Sequence, residues 1–260
     1  MRLMPDFIII GAQRCGTTSL YRCLSKHAYV TPALRKEIHF FDINYRNGMT
    51  WYRAHFPSFW TKIFRQSRKS CFITGEASPY YVFHPHAPRR IASVIPSVKL
   101  IVLLRNPIDR AYSHYHHAVR QGLEPLSFED AIEKEEGRLS GEMEKMLKDE
   151  NYYSYSHQKY SYLSRGVYAD QMKAWMTLFP DEQILTLNSE DFYTNPQVVV
   201  DRVFQFLNLP GWEVEEDIKY NIGTYIPMDP KTRGRLMDFY REHNERLYEL
   251  LGTEFDWDRR

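Results

Sequence analysis

The stretch Phe7–Leu24, FIIIGAQRCGTTSLYRCL, sets Gly11 and Gly16 behind an apolar run and ahead of a helical pattern. Glycines let the backbone turn tightly, so that amide N–H groups converge on an anion at the start of the following helix. Thr17 and Thr18 add hydroxyl donors. The spacing approaches the phosphate-binding loop G-x-x-x-x-G-K-[ST]. Thr17, however, stands where the lysine would reach the β/γ-phosphates, and the cation sits inside the loop at Arg14. Such a loop holds an anion but lacks the equipment for splitting a nucleoside triphosphate. A plain tight turn would look similar; the flanking strand and the two threonines favour the anion. A second stretch, KLIVLLRNPIDRAYSHYHH (Lys99–His117), ends an apolar run on Arg105 and places Ser113 in the helix that follows. A guanidinium and a hydroxyl side by side suit another phosphate, although alone the stretch reads as an ordinary strand-to-helix turn. Together the two imply a ligand with phosphate at two separated places.

Four short segments read as the buried strands that must carry these loops: Phe7–Ile10, Cys71–Thr74, Lys99–Leu104 and Gln183–Leu187. The third has the continuous apolar character of a strand covered on both faces. Helical patterns lie between them, over Thr17–Lys26, from Asn106-Pro107 onward, and over Ser127–Arg138, Tyr168–Phe179, Pro196–Leu207 and Lys231–Leu251. Asn106 suits an N-cap and Pro107 the first helical position. Alternating strands and helices predict one α/β domain over residues 1–260, with a central, mostly parallel sheet flanked by helices. Ligands in such sheets bind beyond the carboxyl ends of the strands, where Gly11 and Arg105 fall. Residues 136–165, charged and then rich in tyrosine, read either as a solvated surface excursion or as a lid or acceptor-contacting insertion.

Composition narrows the partners. A net charge of +1 over 260 residues argues against a general nucleic-acid binder, while leaving room for a local basic cleft. Three cysteines, Cys15, Cys23 and Cys71, do not make a disulfide scaffold, and no cysteine or histidine pair has a zinc spacing, so no metal is expected. No apolar run approaches the roughly 20 residues of a membrane span, and the start leads straight into the first strand. These features predict a cytoplasmic protein with no membrane partner.

GAQRCGTTSL resembles the 5′-phosphosulfate loop of sulfotransferases, and LLRNPIDRAYSHY resembles their 3′-phosphate motif. The donor in that family, 3′-phosphoadenosine 5′-phosphosulfate (PAPS), carries phosphate at both places. KEIHFFDINYRNGMTWYRAHFP, the Ser164–Pro180 stretch, FYTNPQVVVDRVFQFLNLP and FYREHNERLYELLGTEFDW are similar to segments of the heparan sulfate N- and 3-O-sulfotransferases and of bacterial relatives. The resemblance implies a P-loop-like sulfotransferase fold and sulfuryl transfer to a hydroxyl or amine of an acceptor, with a carbohydrate first in line. A lipid or carrier-bound acyl alcohol, or a non-catalytic nucleotide-binding protein, are the alternatives. It assigns Arg14, Cys15, Gly16, Thr17, Thr18 and Ser19 to the 5′-phosphosulfate, and Arg105 and Ser113 to the 3′-phosphate. Glu37 becomes the base, with His39, Asp42 and His117 in support, and Arg14 takes the place of the family's lysine at the bridging oxygen.

Each assignment has a plainer reading. Glu37 could be a solvated loop carboxylate and His39 a core histidine. Most of His114, His116 and His117 read as surface residues, and Arg110, Tyr112 and Arg120 have structural readings. The chain also departs from the family. A planar guanidinium at position 14 does not shed a proton near neutral pH. Ala77 falls where the heparan enzymes carry a lysine, and their C-terminal basic loop is missing. Lys219, Lys231 or Arg233 could replace that charge.

Overall fold

The computed structural model describes residues 2–66, 71–214 and 226–257. Five strands, β1 (Phe7–Gly11), β2 (Val30–Pro32), β3 (Ile73–Ala77), β4 (Lys99–Leu104) and β5 (Ile184–Asn188), pair in parallel in the order β2-β3-β1-β4-β5. All of β1 and Leu100–Leu104 are buried, which is why both read as unbroken apolar runs rather than alternating ones. The sheet is the single layer expected from the sequence, with β1 at its centre. β3 lies on one side of β1 and β4 on the other, which opens a crevice at the carboxyl ends.

The helices are α1 (Thr17–Lys26), α2 (Gly48–Arg53), α3 (Phe59–Gln66), α4 (Ala87–Val94), α5 (Pro107–Arg120), α6 (Phe128–Glu133), α7 (Glu135–Leu139) and α8 (Glu142–Lys148). They continue as α9 (Tyr155–Lys159), α10 (Tyr168–Met176), α11 (Ser189–Thr194), α12 (Pro196–Leu207) and α13 (Pro230–Leu251). Asn106 caps α5 as expected, its side chain accepting from the Ile108 and Asp109 amides. The main core forms where α1, α10 and α12 close on the sheet; Ile8, Leu24, Trp175 and Val203 are completely buried there.

Three expectations shift. The strand read at Cys71–Thr74 runs over Ile73–Ala77, because Gly75 and the buried Glu76 disguise its second half. β2, three residues ending in proline, carries no pattern to detect. The helix read over Ser127–Arg138 breaks at Lys134 into α6 and α7. The break turns Glu135 inward, where its carboxylate accepts from the Leu163 and Ser164 amides. Residues 136–165 are largely helical and pack on the domain: Met146 O accepts from His86 Nε2, and Glu150 O from Arg90.

Candidate functional site

At the carboxyl end of β1, Gly11 is required for close approach, since a Cβ there would sit 2.3 Å from Val82 Cγ1. The turn itself depends on Gly16, whose φ of +88° makes it the left-handed N-cap of α1. No side chain caps that helix, and its first turn holds no acid, so its leading amides keep the positive end of the dipole for an anion. Cys15, Thr17 and Ser19 point inward. Burial pushes the Cys15 thiol up to about 11, with Tyr168 Oη 3.9 Å away, and Ser19 is hydrogen-bonded to Tyr193. These three offer backbone to a ligand, whereas Arg14, Gly16 and Thr18 are half-buried at the crevice.

The two phosphate motifs meet. Arg14 Nε donates to Ser113 Oγ at 3.1 Å, and Arg105 Nη1 donates to Arg14 O at 3.3 Å. Sequence spacing treats them as separate places; the sheet makes them one basic wall. Two more guanidinium groups lie behind it. Arg110 is fully buried: Nη2 donates to Tyr162 O, while Nε and Nη1 have no hydrogen-bond partner among the described residues. Arg165 is also buried, stacked 5.0 Å from the Tyr80 and Phe83 ring centres and bonded to Gln13 and His157 O. Burial pulls its pKa down to about 10.

Glu37, His39 and Asp42 occupy a loop after β2. Glu37 (φ 59°) and His39 (φ 55°), like Arg14 (φ 70°), adopt left-handed backbone that L side chains rarely accept. The surroundings impose it. Glu37 N donates to Ala77 O, and Phe40 and Phe41 are buried, with both amides donating to Tyr81 Oη at 2.8 and 3.3 Å. His39 N donates to Ser78 Oγ at 3.2 Å. Tyr81 and Ser78 in turn donate to Glu76, together with Tyr52. Burial raises that carboxyl to about 7, against the pull of its three hydroxyl donors.

His39 is not a core histidine. Its ring borders the cleft, with Nδ1 2.7 Å from Asp42 Oδ2 and Nε2 3.7 Å from Glu37 Oε2. Burial opposes its charge, but the hydrogen bonds to Asp42 and Glu37 outweigh it and lift the imidazole to about 9. For Glu37, burial favours the neutral acid, yet His39 and the Lys36 ammonium bonded to Oε1 win and hold it at about 2. The group is an imidazolium between carboxylates.

Beside it opens a cleft of about 140 Å³, bordered by Glu37, His39, His114, His117, Lys159 and Arg165. Burial, and then Arg14, lower the His117 pKa, so the ring is neutral near pH 7. His114 is no surface residue: it is 3% exposed, neutral through burial, and its Nδ1 lacks a hydrogen-bond partner among the described residues. His116 turns instead onto Tyr112, whose hydroxyl donates to Ile226 O. Arg110 is interior and Arg120 exposed at the end of α5. The sequence reading missed Lys159, Arg165 and Gln13 as lining residues; Lys159 and Arg165 come from the segment whose role it left open. Lys219 lies outside the described residues, Lys231 is exposed and Arg233 pairs with Asp109, so neither of the latter two lines the cleft. Among the described residues, no three His, Cys, Asp or Glu side chains are grouped to hold a metal, and no helix is long and apolar enough to cross a membrane.

Residues 4–224 match the family described as "Sulfotransferase domain". The chain is 28% identical over 98% of its length to the membrane-associated sulfotransferase kil1 of Dictyostelium discoideum. It is 29% identical over 98% to the heparan sulfate glucosamine 3-O-sulfotransferase 3B1 of Mus musculus. It is 30% identical over 95% to the bifunctional heparan sulfate N-deacetylase/N-sulfotransferase 3 of Homo sapiens. The chain spans only 66%, 65% and 30% of those three proteins. A sulfotransferase crystal structure from Alicyclobacillus acidocaldarius superposes with a TM-score of 0.75 at 30% identity, covering 99% of this chain and all of that one. A match over most of the length, on the same fold, places this chain in the sulfotransferase family.

Proposed function

We propose that the protein transfers a sulfuryl group from PAPS to a hydroxyl or amine of an acidic saccharide. The observation that carries this is the meeting of Arg14, Ser113 and Arg105 beside the cleft that holds Glu37. The residues suit a doubly anionic nucleotide: an uncapped helix start, two half-buried arginines, and behind them Arg110 with two buried nitrogens that have no hydrogen-bond partner among the described residues. PAPS, when bound, supplies the sulfuryl group. Gly16, Thr17 and Thr18 would hold its 5′ end and Arg105 and Ser113 its 3′-phosphate, with backbone groups of Cys15 and Ser19 completing the loop. Arg14 would neutralise the leaving phosphate as a fixed cation, worth most where water is excluded.

On the acceptor side, Glu37 is ionised at neutral pH and open to the cleft, so it can take the proton of an acceptor hydroxyl or amine. The His39 imidazolium, fixed by Asp42, orients that carboxylate, and neutral His117 stands by as a second proton acceptor. The lining argues for an acidic sugar: Lys159 and Arg165 supply cations where position 77 has lost one, and Gln13, Gln121 and Gln158 offer amides to hydroxyls. An apolar alcohol would find little to pack against.

Sulfate transfer to a panel of uronic-acid-containing saccharides, with wild type and Glu37→Gln, tests this. The wild type should transfer and the variant should lose about a hundredfold or more in kcat, while adenosine 3′,5′-bisphosphate still stabilises both in a thermal shift. Saturation at about 100 times Kd adds roughly 2.7 kcal/mol. Stabilisation by ATP alone, or undiminished transfer by the variant, would defeat the reading.

A further inference from the structure

Helix α3 is amphipathic, but it shows its apolar side to solvent. Ser58 Oγ accepts from the Thr61 amide, and the Pro57–Ser58 backbone is tied to Arg2 and Leu3 just before β1. Thr61 and Lys62 lie on the half-buried side, with the Lys62 charge felt at Asp6. Phe59, Trp60, Ile63 and Phe64 fall on one helical face and are 42, 73, 43 and 58% exposed. A surface helix ordinarily buries such a stripe. Phe59, Trp60 and Ile63 alone hold enough apolar surface in water to call for a cover.

The charge around the stripe says which cover. Arg2 and Arg53 meet at the start of the helix, Arg2 bridging to Ser58 and Arg53 donating to Arg2 O, and Lys62 lies on the helix itself. A second copy on this face would set like charge against like. An anionic lipid surface answers both features: aromatic rings settle at the headgroup boundary, and cations are drawn to the anionic leaflet. We propose that α3 seats the protein peripherally on anionic membranes. The helix lies at the amino end of the sheet, beside the residues that lead into β1, whereas the catalytic cleft lies beyond the carboxyl ends. Seated this way, the enzyme turns its acceptor cleft toward the aqueous phase. The absence of a spanning helix bears only on crossing a bilayer, so the expectation of no membrane partner is revised for contact at its surface.

Flotation with vesicles of phosphatidylcholine, with and without phosphatidylserine, is the test. Wild type should float with the serine-lipid vesicles, be released by added salt, and stay behind with phosphatidylcholine alone. Trp60→Ser and Trp60→Ser/Phe64→Ser should weaken binding about tenfold or more. Phe239→Ser, at an aromatic that is 43% exposed on α13, should not. Wild-type-like stabilisation by adenosine 3′,5′-bisphosphate would show that the variants fold. No flotation, equal flotation by the stripe variants, or vesicle-free self-association that Trp60→Ser abolishes would each overturn the proposal, the last assigning the face to a second copy.

Discussion

A carboxylate that titrates near 2 is a weak proton acceptor, and Glu37 is held there by Lys36 and by His39. Its neighbours keep it charged and aimed at the expense of basicity. Lys36→Met should therefore let the Glu37 pKa rise toward its ordinary value near 4.5, moving the acid limb of the kcat/KM profile to higher pH by about one unit. The alkaline limb near 9, set by His39, should stay. The signs follow from the two shifts. The depressed carboxyl contributes stability above about pH 4.5 that is lost as pH falls toward 2; the raised imidazole contributes stability below about 6.5 that is lost as pH climbs through 9. On the proposed function Lys159, which lines the cleft, faces the acceptor, so Lys159→Met should raise KM for an acidic saccharide about tenfold with little change in kcat, read from initial rates.

The loop from Glu37 to Asp42 is a short element held from beneath by Glu76. Through Tyr81 and Ser78 this one buried carboxyl supports the amides of His39, Phe40 and Phe41. Its folded pKa of about 7 lies above the unfolded value, so it binds a proton more readily in the native state, and stability falls as pH rises from about 4.5 to 7. Glu76→Gln should remove on the order of 3 kcal/mol from that pH dependence, visible as a flatter plot of Tm against pH. Local signals exposed some elements and hid others. Thr17–Lys26, Lys99–Leu104 and Pro196–Leu207 were legible to the residue because apolar pattern, flanking glycine or proline and burial agree there. β3 was misplaced because Glu76, the residue that supports the loop, makes the strand look polar.

Across the whole molecule, the donor side of the site was readable because each phosphate motif is local: turn, cation and hydroxyl sit within a few residues. The acceptor side was not. Lys159 and Arg165 reach the cleft from more than a hundred residues beyond Glu37, and no spacing rule links them. His114 read with its neighbours as a surface residue because its helix looks solvated until α6, Tyr162 and α13 close over it. The hydrogen bond from Arg14 to Ser113 carries one more implication. On the proposed function it would make the donor site a bivalent grip: a nucleotide held at one end would present its other end at high effective concentration to a wall shared by both. Fragments bearing a single phosphate would forfeit that chelation, and the site would select a nucleotide phosphorylated at two places by counting anchor points.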